Sequence, residues 1–246
     1  AGMTEECMNA LDESIALDPS NAFAHYSKGL AFRAKLNDEQ SAIREFSEAI
    51  ELSDDPRYYY ERGISYKNID SFENAKNDLD QALARNQNYA EAYGARASVL
   101  FEIERYKEAL SDIEKAISLN PNNAAFFCEK ARVLLSMDES DPVEARDDIN
   151  NALELDPNNA VAYFIRARIY LDALDDIRKG LKDLNTAISL DEHFFDAYLY
   201  RANYHRVITK NYKSALEDID ICMKLRPESD EVLAERDLIL QKQHDQ

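Results

Sequence analysis

Arg33, Lys67, Arg132, Arg168 and Arg206 return at regular intervals along the chain, and Tyr26, Tyr60, Ile64, Phe164 and Asn203 keep step with them. A guanidinium presents a fork of N–H donors that matches a carboxylate, and a buried aromatic ring is a strong anchor for a partner. Together these side chains could hold an extended or helical peptide that carries acidic groups. They lie on one helical stripe, at i, i+3, i+7 and i+10 from the second residue of a helix. With Arg57, six bases stand on that stripe against two acids, Glu91 and Asp196, while the whole chain has 48 acids to 29 bases. The plainer reading is a set of solvated residues, since exposed apolar side chains are ordinary. The charge contrast favours a binding face.

A second charged row looks structural. Lys28, Arg62, Arg96, Lys130, Arg166 and Arg201 recur on one helix of each unit, and Glu45, Asp78, Asp112, Asp148, Asp183 and Asp218 on the other. The signs oppose every time, which predicts a salt bridge per unit, within it or to the adjoining helix. Desolvation offsets much of the Coulomb gain of such pairs, so they would set register more than add stability. A ladder of ligand contacts is the rival reading, but ligand contacts usually vary between units.

Catalytic patterns are missing. The sequence has no phosphate-cradling glycine loop, no HExxH and no acidic calcium loop. His25, His193, His205 and His244 fall in different repeats, without partners at metal or nucleophile spacing. His25 reads as a packed substitute for an aromatic. The expectation is no enzyme, no cofactor and no metal.

The elements that position the stripe are helix pairs. Gly29, Gly63, Ala97, Ala131, Ala167 and Ala202 mark a small site in the first helix of each unit. Ala42, Ala75, Ala109, Ala145, Gly180 and Ala215 mark one in the second, with Phe46, Leu79, Ile113, Ile149, Leu184 and Ile219 as large neighbours. Small residues in register let two helices cross closely. Spacings run from 33 to 36, and each departure from 34 is assigned to a turn, including one extra turn residue in each of the last two repeats and a long turn from Met137 to Pro142. There Asp141 should cap a helix that has Pro142 at its first position. Of Tyr58-Tyr59-Tyr60, only Tyr59 is in core phase.

This pattern resembles the tetratricopeptide repeat, in which a large aromatic, Leu-Gly, Tyr, and later Ala, Phe and Pro recur over 34 residues. The resemblance implies an all-α, right-handed superhelical solenoid of antiparallel helix pairs, with the first helices lining the hollow side. One solenoid over 3–243 is expected: a half repeat 3–21; repeats 22–55, 56–89, 90–123, 124–159, 160–194 and 195–229; and a cap helix 230–243. In the cap Leu233, Arg236 and Leu240 keep phase, and Asp237 replaces the small residue. The family's two-carboxylate clamp for chaperone tails is absent in its familiar form, since Tyr26, Leu30 and Glu61 occupy positions it needs. An asparagine ladder is not seen either, its column being Ser27, Glu61, Ala95, Glu129, Ile165 and Tyr200.

The lone helix at the start, with Met3, Cys7 and Met8 on an uncovered face, suggests a chain that begins earlier, or weak self-association of a monomer through this end. The net charge of −19 argues against nucleic acid. No apolar run approaches the roughly 20 residues that span a bilayer. Cys7, Cys128 and Cys222 lack metal spacing, and Cys222 stands at a small packing site, which points weakly to a reducing, cytoplasmic setting. The expected function is an interaction scaffold that binds a partner peptide with acidic groups. Two alternatives are a targeting or regulatory array of a larger enzyme or assembly, and an acidic outer face that holds a basic protein.

Overall fold

The computed structural model describes residues 2–137 and 141–244, and every element among them is helical. The chain divides into two compact units, Ala1–Asp138 and Glu139–Gln246. The first contains α1 (Gly2–Leu17), α2 (Ala22–Ala31), α3 (Glu39–Leu52), α4 (Pro56–Asn68), α5 (Phe72–Arg85), α6 (Ala90–Glu102), α7 (Tyr106–Leu119) and α8 (Ala124–Leu135). The second contains α9 (Pro142–Leu155), α10 (Ala160–Arg168), α11 (Ile177–Leu190), α12 (Phe195–Tyr204), α13 (Tyr212–Leu225) and α14 (Asp230–His244). Within each unit every helix packs on its neighbours in sequence.

Side chains start most of these helices. Asn21, Asp38, Asp55, Asn123, Asp141, Asn159, Asp176 and Asn211 each accept an N–H from the first turn. That bond satisfies a donor the helix cannot, at about 1 kcal/mol per cap. Asp141 caps α9 through the Val143 N–H at 2.8 Å, with Pro142 in the first turn as expected. Of the long turn before it, 138–140 lie outside the described residues.

The first helices α2, α4, α6, α10 and α12 end in two ways. After α4 and α6 the chain turns through left-handed Asp70 (φ 57°) and Glu104 (φ 61°). Ser71 N–H bonds back to Tyr66 C=O at 2.9 Å, and Arg105 N–H to Leu100 C=O at 2.8 Å. After α2, α10 and α12 the helix instead continues as a wider π-helical turn, over Phe32–Leu36, Ile169–Ala173 and His205–Thr209. This corrects the placement of the extra residue of the last two repeats. It lies inside the first helix, because a π turn absorbs one residue while the chain still leaves the helix where its neighbour needs it.

Both small columns and the large column form the core. Ala97, Ala131, Ala167 and Ala202 are fully buried, as are Phe46, Leu79, Ile113, Ile149, Leu184 and Ile219. In α4 the buried ring is Tyr58, and Tyr59 is only half-buried, which overturns the expectation for that triplet. Tyr58 faces the preceding repeat, with its ring centroid 5.0 Å from that of Tyr26. A helix inside a stack has neighbours on two sides, so it buries two stripes rather than one. In α14, Val232 and Ile239 are buried while Leu233 is exposed, and its main packing is against α13. Asp237 is exposed there. At the other end α1 leaves Cys7 and Leu17 exposed; the side chain of Met3 lies outside the described residues.

Candidate functional site

The repeated base–acid row is architecture. Arg62 donates to Asp78 through Nε and Nη2 at 2.7 and 2.8 Å, and through Nη1 to Ser47 of the preceding second helix at 2.9 Å. Arg96 holds Asp112 at 2.6 and 2.8 Å and Asp80 at 2.7 Å. Arg166 holds Asp183 and Asn150, and Arg201 holds Asp218 and Asn185, in the same manner. Lys28 bridges Glu45 at 2.9 Å and Asp12 at 2.8 Å. Each base thus ties its own repeat to the one before it. The carboxylates hold Arg62, Arg96 and Arg201 more firmly protonated than usual. Lys130 and Asp148 fall in different units. His25 shares Glu45 at 2.8 Å and sits half-buried inside the repeat.

The inner stripe is more occupied than its composition suggests. Tyr26 packs on Tyr58 and Phe46, Tyr60 packs on Tyr89 at 5.0 Å, and Ile64 lies against the core beside α5. Burial pushes the phenols of Tyr26 and Tyr60 up, so they remain neutral donors. Arg33 bonds to the carboxylate and, at 3.1 Å, the carbonyl of Glu61. Lys67 reaches Ser98 at 3.4 Å. Arg132 lies over Phe101 and bonds to Glu129 at 2.9 Å, and Arg206 holds Glu235 at 2.6 and 3.2 Å. The acids Glu61, Glu129 and Glu235 share one column, next to the stripe. Glu129 is buried enough that desolvation raises its pKa. Sequence inspection tested that column only for asparagines, and so missed its acids as partners of the bases.

The second unit keeps a part of the stripe open. An open groove of about 520 Å³ lies between α10, α12 and α14. Phe164, Leu199, Ala234 and Leu238 give it apolar walls, and Arg168, Asn203, Asp196 and Glu231 are polar groups along it. Tyr200 meets Phe164 edge-on at 5.8 Å, and its hydroxyl donates to Asp172. The Arg168 side chain is 51% exposed, with Asp172 at 3.8 Å. Phe164, Arg168 and Asn203 were expected from the sequence; the contribution of α14 was not. The signal existed, because counting i, i+3 and i+7 from Glu231 selects Ala234 and Leu238.

The groove can seat an apolar side chain, meet a carboxylate at Arg168 and meet a cation at Asp196 and Glu231. Among the described residues no three His, Cys, Asp or Glu side chains are grouped to hold a metal ion. The Cys222 thiol is fully buried and pushed up to about 12, which fits a packing role. No helix among the described residues is long and apolar enough to cross a membrane.

Paired helices, small crossing residues and a charged tie between successive pairs define an all-α helical-repeat solenoid. Tetratricopeptide-repeat models match residues 56–89 and 90–123, so the chain carries tetratricopeptide repeats over 56–123. Its fold is similar to a tetratricopeptide repeat protein from Parabacteroides merdae, with a TM-score of 0.79, 16% identity, and coverage of 97% of this chain and 93% of that one. It is also similar to a chain of the APC/C hetero-tetramer Cut9-Hcn1, with a TM-score of 0.83 and 14% identity over 97% of this chain. This chain spans only 46% of the length of that one. YrrB, a protein with an unusual peptide-binding site, gives a TM-score of 0.57 at 22% identity, covering 76% of this chain and 95% of its own. No curated protein matches in sequence. Proteins of this repeat family are in general interaction scaffolds rather than enzymes.

Proposed function

We propose that this protein captures a peptide segment of a partner in the groove between α10, α12 and α14. The observation that carries the reading is the coincidence of apolar walls with a half-exposed arginine in one groove. An apolar side chain of the ligand would enter between Phe164, Leu199 and Leu238, and a neighbouring carboxylate would meet Arg168. Peptides selected from a random library against the full chain should share an apolar residue next to an acid. Arg168→Glu and Leu199→Asp should each weaken the selected peptides at least tenfold while leaving helicity unchanged. Equal binding by both variants would remove the groove from the account.

A second reading draws on the acids along the same groove. Asp196 and Glu231 would favour a ligand with Lys or Arg beside the apolar anchor. Selected peptides that are basic, and that tighten on Arg168→Glu, would decide for it.

A further inference from the structure

α11 departs from the charge pattern of the other second helices. Its first turns carry Arg178, Lys179 and Lys182, and its one acid, Asp183, is buried under Arg166. In the register of Lys182 the other second helices carry Arg44, Asn77, Ser111, Asp147 and Glu217; in that of Lys179 they carry Ser41, Asn74, Glu108, Glu144 and Ser214. None of them gathers three cations there. Lys179 is held by Asp176 at 2.8 Å and lies 5.2 Å from the Tyr170 ring. Arg178 and Lys182 are exposed, one helical turn apart on one face, and make no ion pair among the described residues. Two open hollows of about 470 and 540 Å³ share these two side chains. Tyr170 and Lys179 line one; Leu181, Asn185 and Ser189 line the other.

We propose that this stripe of α11 is a second docking surface, taken by an acidic protein segment whose clustered Asp and Glu carboxylates sit on Arg178 and Lys182. Charge complementarity selects the occupant. In a chain of net charge −19, two unpaired cations one turn apart form a local site for an anion that the rest of the surface repels. Their spacing matches carboxylates one turn apart on a partner helix. Leu181 and the hydroxyl and amide groups of Ser189 and Asn185 extend the footing along the same helix. A nucleic acid is the poorer fit, because such binding draws on about 6 to 10 phosphate contacts and an extended basic footprint. The site is independent of the groove between α10, α12 and α14 and shares no residue with it.

The test uses the full chain and a fluorescein-labelled dodecapeptide of alternating Glu and Ala, followed by anisotropy at about 50 mM salt, where charge interactions are weakly screened. The wild type should bind, and Arg178→Gln/Lys182→Gln should weaken binding about tenfold, as the loss of two charge contacts implies. Lys213→Gln, at an exposed lysine of α13 outside both surfaces, should bind as the wild type does. On the unmutated chain, amide chemical-shift changes on adding peptide should cluster within 178–189. The proposal is overturned by an unmutated chain that fails to bind, by equal binding of the double variant, or by shifts centred elsewhere. Tighter binding of a single-stranded oligonucleotide than of the peptide would also overturn it.

Discussion

Gly29 stands where α2 crosses α3 because a Cβ there would lie 2.6 Å from the Phe46 ring. The same column carries alanine at Ala97, Ala131, Ala167 and Ala202, where the residue opposite is Ile or Leu rather than a ring. Gly29→Ala should therefore cost about 1–2 kcal/mol through overpacking, more than the roughly 1 kcal/mol that alanine gains in a helix. Urea titration measures this, and adding Phe46→Leu should restore most of the loss. A Gly29→Ala chain more stable than the parent would mean the ring yields freely. The small columns were legible in the sequence because they recur; which member must be glycine was not, since that depends on the side chain opposite. The same limit explains the inner bases. Arg33 and Arg206 are met by Glu61 and Glu235 of the next helix pair, a lateral contact that no single-repeat period encodes.

The helices were legible as elements, and their ends were not. Repeats 56–89 and 90–123 close the first helix through a left-handed residue; repeats 22–55, 160–194 and 195–229, with one residue more between their two small sites, first widen it into a π turn. The longer spacing was visible in the sequence, but insertions usually fall in connections, so the turn was the natural place to put it. Glu104 now provides a measurement at this scale. An L-residue with a Cβ is strained at φ 61°, and glycine is not. Glu104→Gly should raise stability by about 0.5–1 kcal/mol, seen as a higher melting temperature, and a lower one would contradict the left-handed ending of α6. In the sequence Asp237 suggests an end to the stack, and that expectation hides how Ala234 and Leu238 of α14 line the groove as residues of another first helix would.

Across each unit, stability is a chain of nearest-neighbour terms, as in other stacked repeats. The arginine ties make the coupling explicit, since Arg96 joins α6 to Asp112 on α7 and Asp80 on α5. Arg96→Met should leave Asp112, only 7% exposed, without its cation, and cost about 3 kcal/mol. Hydrogen exchange should report the loss first in α5, α6 and α7, and unchanged exchange there would deny the tie its coupling role. The opposed signs of this row were readable in the sequence; that each arginine also reaches back one repeat was not, because Ser47, Asp80, Asn150 and Asn185 vary in type. That backward reach has an evolutionary corollary. If residues 56–89 were duplicated in tandem, the Arg62 of the inserted copy would find Asp80 of the original already in place, and Arg96 would find the Asp80 of the copy. Such a chain could lengthen by whole modules without stranding a charge at the new seam.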